Sequence, residues 1–157
     1  MVVIRAVLVV FGFVLACLAA ALTLVLFVYT PAELVSLPSD VAADRLSEVG
    51  LLTLAAATHC VVFAAPLALL AALVGEVRRI GSWTYYVIAG IAIAVLGFLA
   101  QHWSETADQP TILNNYALIA FLTTGFVAGL AYWLVCGRSA GARTSAAQPP
   151  PEAAPSA

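Results

Sequence analysis

The chain has 157 residues, 64% of them hydrophobic and 9% charged, with a formal net charge of -2 at pH 7. Its mean hydropathy is +1.06. Soluble domains carry about 25% charged residues, so this composition argues against one, and the small net charge argues against a nucleic-acid surface. What remains is an integral membrane protein with one domain's worth of chain.

Four apolar segments, at about residues 6–30, 49–75, 83–102 and 112–135, contain no Asp, Glu, Lys or Arg. Each reaches the roughly 20 helical residues needed to cross a hydrocarbon core of about 30 Å. They are apolar on every face, whereas barrel strands are shorter and alternate in polarity. The expected fold is therefore an all-α integral membrane bundle of four transmembrane helices over residues 1–137. A disordered cytoplasmic tail follows over residues 138–157, ending in Gln148-Pro149-Pro150-Pro151 and Ala/Ser-rich sequence.

In the first segment, Arg5 precedes Val14-Leu15-Ala16-Cys17, which loosely resembles a lipoprotein cleavage site. The apolar run continues to Tyr29, too long for a signal-peptide core, so it reads as a full span. Pro38-Ser39-Asp40 reads as a helix start capped by Ser39 or Asp40. From there the helix either runs straight into the second span or breaks near Gly50. Pro66 removes the donor for the Val62 carbonyl and should kink the second span.

The inner turn Gly75 to Ser82 is short, so the second and third spans should form an antiparallel hairpin. Within it Glu76 and Arg79 are spaced to pair, and Arg78 and Arg79 suit anionic headgroups. In the third span Gly90 and Ala94 make a small-xxx-small pair. Pro110 suits a first helical turn before the fourth span. There Gly125-Phe126-Val127-Ala128-Gly129 is a GxxxG, which permits close helix packing within the chain or against a partner.

Aromatic residues mark the span edges: Tyr29, Trp83, Tyr85, Tyr86, Trp103, Tyr116, Tyr132 and Trp133. Arg5, Arg78, Arg79, Arg138 and Arg143 fall on one side and Arg45 alone on the other. The positive-inside rule then places both termini of this multi-pass protein in the cytoplasm.

His59 lies in the apolar run THCVVFAAP. It is about ten residues, or roughly 15 Å, below the outer boundary, near the midplane. A charged ring is costly there, so a neutral ring with a hydrogen-bond partner is expected. Cys17, Gly90, Thr123 and Thr124 share that depth. One reading makes His59, Thr123 and Thr124 buried polar groups that fix helix register. The other makes His59 a cofactor-binding or proton-carrying residue, since ionisable residues inside membranes are functional candidates by default.

Haem ligation by two histidines within one chain is disfavoured, because His102 sits at the outer end of the third span, about 15 Å from that depth. Cys17, His59 and Cys60 form a weak metal candidate, since neighbours on a helix point about 100° apart. No cofactor is predicted. A quinone-coupled disulfide oxidase would need cysteine pairs facing outward, and the chain has no CxxC and no outer-loop cysteine. A small multidrug exporter would need a carboxylate in the first span, which has none. No catalytic residue is assigned.

The run Ala131-Tyr132-Trp133-Leu134-Val135-Cys136-Gly137-Arg138-Ser139-Ala140-Gly141, with the Tyr85-Tyr86 opening of the third span, resembles small uncharacterised four-helix inner-membrane proteins of proteobacteria. Cys136 stands where that pattern has a small residue such as alanine. The resemblance implies an inner-membrane location and supplies no activity. The functional expectation is a non-enzymatic structural or accessory component, partnered by the lipid bilayer and by a second copy or a larger membrane complex, with no nucleic acid. The alternative is a redox (haem or metal) or small-solute or proton transport component centred on His59.

Overall fold

A computed structural model describes residues 2–29, 38–105 and 113–138. The expected roles of Pro110 and of the tail beyond Arg138 lie outside the described residues, as do the side chains of Ser39 and Asp40. Among the described residues the fold is all-helical and holds four helices long and apolar enough to cross a membrane. These are α1 (Val2–Val28), α2 (Ser39–Val77), α3 (Trp83–Trp103) and α4 (Asn115–Tyr132), the last continued by a π-helical segment, Trp133–Gly137.

The helices form where long apolar runs meet local start and stop signals. At the start of α4, Asn114 is extended and its side-chain oxygen accepts from the Ala117 N–H at 2.7 Å. That bond satisfies one of the free donors of the first turn. Asn114→Ala should therefore lower stability by about 1 kcal/mol, read from thermal unfolding in detergent micelles.

α2 ends in a Schellman arrangement: the Ile80 N–H donates to the Gly75 carbonyl at 2.8 Å and the Arg79 N–H to the Glu76 carbonyl at 3.2 Å. Arg79 takes the left-handed conformation there, at φ 54°, where glycine is usual.

α2 runs unbroken for 39 residues, through both Gly50 and Pro66. At 1.5 Å per residue it is about 58 Å long, well beyond a hydrocarbon core of about 30 Å. The break considered near Gly50 does not occur. A Cβ on Gly50 would meet nothing within 4 Å. Gly50→Ala should accordingly stabilise the protein by about 1 kcal/mol through helix propensity alone, again checked by thermal unfolding.

Contacts at the helix ends show that the chain alternates in direction. The start of α1 meets the end of α2 through Arg5 and Glu76, whose Nη2 and Oε1 lie 2.9 Å apart. It also meets the end of α4, where the Cys136 thiol donates to the Leu8 carbonyl at 2.9 Å. At the same end Trp133 Nε1–H donates to the Gly81 carbonyl at 2.9 Å. At the other end Tyr29 donates to Glu48 at 3.2 Å, and the Tyr116 hydroxyl donates to the Phe27 carbonyl.

Glu76 thus pairs with Arg5 on another helix and not with the expected Arg79, whose backbone is left-handed. Cys136 is accommodated because it lies against Gly12 of α1. A side chain there would collide with its sulfur.

Packing is uneven. α3 and α4 are the most intimate pair, α1 packs on both α4 and α2, and α2 meets α3 only loosely. Of the best 18-residue window in each helix, 28%, 17% and 22% is buried for α1, α3 and α4, against 6% for α2. Contacts thus run from α3 to α4 to α1 to α2, and a weaker α2–α3 contact closes the ring. The expected hairpin of the second and third spans is antiparallel but loosely packed.

Candidate functional site

The loose seat of α2 leaves a central cavity of about 410 Å³ among all four helices. Its size follows from its walls. α2 offers Ala64, Ala68, Ala71 and Ala72, α3 offers Ala89, Gly90, Ala94 and Gly97, and α1 offers Ala16 and Ala20. Such side chains cannot fill the space between helix axes, and close-packed interiors seldom leave voids much larger than a water molecule. The volume lies in the range of small-molecule sites, roughly 300–1,000 Å³.

The lining is almost wholly apolar. Phe13, Phe63 and Phe121 enter from α1, α2 and α4, while His59, Cys17, Cys60, Thr124, Gln101, Tyr86 and Tyr132 supply the polar groups. Several candidates read from the sequence therefore meet here. Cys17, His59, Cys60 and Thr124 share one wall system, as expected from depth. The structure does not bring Thr123 to it.

His59 differs from the expectation of a buried group with a partner on another helix. It is exposed, and its Nδ1 lies 3.1 Å from the carbonyl of Ala55 on its own helix. The physical reason is the standing-off of α2, which places the middle of that helix beside the cavity rather than against a neighbour. His59 and Phe63 line both the cavity and a shallow groove on α2 formed with Thr58, Val62, Pro66 and Leu67. His59 thus sits at the boundary between the interior and the outer surface.

The threonines separate sharply. Thr23, Thr53, Thr58 and Thr123 each donate to the carbonyl four residues earlier, at 2.7, 2.7, 2.9 and 2.8 Å. This is the ordinary way a hydroxyl is satisfied on an apolar helix. Thr84 pairs with the Ser82 hydroxyl instead, and Thr124 follows neither pattern. It is 9% exposed, and its covered hydroxyl oxygen has no hydrogen-bond partner. Of the three expected buried polar groups, only Thr124 is enclosed.

Cys17 is buried, Cys60 is partly buried and both are free thiols. Among the described residues no three His, Cys, Asp or Glu side chains are grouped to hold a metal ion, so the Cys17, His59, Cys60 candidate does not assemble. Cys60 follows His59 by one residue, and that angular offset separates their side chains as the helix geometry requires. His102 lies at the far end of α3, where its Nδ1 is 3.0 Å from Glu105. The two histidines do not form a pair of axial ligands.

Gly90, Ala94, Gly125 and Gly129 meet at the α3–α4 contact. A Cβ on Gly125 would come within 2.6 Å of the Gly90 carbonyl oxygen and 2.7 Å of the Ala94 Cβ. A Cβ on Gly129 would come within 2.7 Å of the Val87 Cα. The small-residue faces are therefore consumed inside the chain.

Sequence reasoning missed the three phenylalanines and the alanine face of α2. The recurrence of Ala64, Ala68, Ala71 and Ala72 at helical spacing was the available signal, hidden because alanine is abundant throughout the chain. No family, no curated protein and no solved structure matches this chain significantly.

Proposed function

We propose that the chain is a multi-pass protein of a bacterial inner membrane with both termini in the cytoplasm. In this reading it is a non-enzymatic accessory component that associates with itself or with a larger membrane assembly. One observation carries the partner reading: α2 is the longest apolar helix and has the least of its surface covered, 6% of its best window. Leu51, Leu54, Leu69, Leu70 and Leu73 stand exposed along it.

A helix that needed only to cross a bilayer would gain nothing from extra length, whereas one that docks a partner uses both its length and its free face. The glycine faces do not serve that purpose, since α3 and α4 occupy them.

The orientation is supported by charge. Arg5, Arg78, Arg79 and Arg138 belong to the end of the bundle formed by the start of α1 and the ends of α2 and α4. Arg45 belongs to the other end. The likeness of the Tyr132 to Gly141 stretch to proteobacterial inner-membrane proteins supports the same location.

Purification from the native membrane in mild detergent, followed by mass spectrometry, tests the accessory reading. Photoreactive residues at Leu69 and Leu73 are expected to crosslink one defined protein in near-equal amount, either a partner or a second copy. Recovery as an uncrosslinked monomer would contradict it.

A further inference from the structure

We propose that the central cavity binds a lipid-soluble aromatic alcohol, a phenol or hydroquinone bearing a hydrocarbon chain, whose hydroxyl donates to Nε2 of His59. This goes beyond the accessory role and does not depend on it. The first ground is the space itself: about 410 Å³ bounded by all four helices, with apolar walls and few polar atoms. Such a lining suits an apolar body oriented by a small number of hydrogen bonds.

The second ground is the state of His59. A carbonyl only accepts, so Nδ1 must carry the proton in its contact with Ala55. In the neutral ring Nε2 is then left as an acceptor, and it has no partner among the described residues. The ligand must therefore bring a donor. Next to it, Pro66 has no N–H to give the Val62 carbonyl, and both residues line the same groove.

The third ground is Thr124, a wall residue with 9% exposure and an unpaired hydroxyl. Buried polar groups are almost always paired, and an exception calls for a cause. A turn about its Cα–Cβ bond exchanges the hydroxyl with the methyl, offering a ligand oxygen a donor across the cavity from α2. An aromatic ring is favoured over an aliphatic alcohol because Phe13, Phe63 and Phe121 converge from three helices, and the glycine and alanine walls admit a flat body. His59 and Phe63, shared by cavity and groove, mark the entrance from the surface of α2.

The test uses the full chain in detergent micelles or nanodiscs with decylhydroquinone and its dimethyl ether, which has the same body and no donor. A photoreactive form of the hydroquinone reports the site. The expected result is saturable binding, labelling of peptides from α2 and α4, and affinity about tenfold weaker for the ether.

His59→Leu is expected to remove the preference between the two probes while leaving thermal unfolding nearly unchanged, because the ring makes only a bond within its own helix. Ala68→Phe, which fills the cavity away from the α3–α4 contact, should abolish labelling. Equal affinity for hydroquinone and ether in the unmodified protein would overturn the proposal without reliance on any variant. So would labelling that is not saturable, or a preference that survives His59→Leu.

Discussion

Gly125→Val and Gly129→Val are expected to unfold the α3–α4 unit, at a cost of about 3 kcal/mol each, the upper part of the range for overpacking. The reason is the identity of the colliding atoms. A Cβ at position 125 meets the Gly90 carbonyl oxygen and the Ile91 Cα, within 2.6 and 2.8 Å, and these are backbone that cannot step aside by changing rotamer. The helices must separate, and the contacts around Val87 and Ala94 are lost with them.

Even Gly125→Ala should destabilise, although alanine is the better helix former by about 1 kcal/mol. The same substitution at Gly50, in open space, is expected to stabilise by that amount. Opposite signs for one chemical change on two helices would separate packing from propensity, and thermal unfolding in micelles followed by circular dichroism would show it. Equal effects at the two sites would contradict the packing assignment.

The GxxxG of the fourth span was visible in the sequence, but its partner was not. Spacing shows that a helix has a flat face and says nothing about which helix lies on it. The four apolar runs were legible because length and hydropathy are properties of each segment alone. The cavity was not, since it arises from how loosely α2 sits, a property shared by four helices.

His59 shows the same division. Its depth in the second span follows from counting residues, yet its exposure depends on how loosely α2 sits against the other helices. The capping role of Asn114 required knowing that α4 starts at Asn115. The Arg5–Glu76 pair was missed because helical spacing pointed to Arg79, and a left-handed backbone at that residue is not foreshadowed by arginine.

That ion pair gives the second large effect. Glu76→Ala should cost about 1–2 kcal/mol: the pair joins α1 to α2 at one of the few places where α2 is anchored, with side chains 21% and 35% exposed. This exposure places it between screened surface pairs and fully buried ones. Glu76→Arg should cost more, since it sets two cations side by side. Arg5→Glu combined with Glu76→Arg should recover most of the loss, which a double-mutant cycle of unfolding free energies measures. No recovery would show that the contact does not join the helices.

The proposed topology has four crossings with both termini inside, and single-cysteine labelling tests it directly. With Cys17, Cys60 and Cys136 replaced by alanine, cysteines are placed at Ser82, between α2 and α3, and at Ser104, after α3. In intact cells treated with a membrane-impermeant thiol reagent, the account predicts labelling at Ser104 and protection at Ser82 until the membrane is opened. Labelling of Ser82 in intact cells with protection of Ser104 would invert the arrangement, and equal access to both would contradict it.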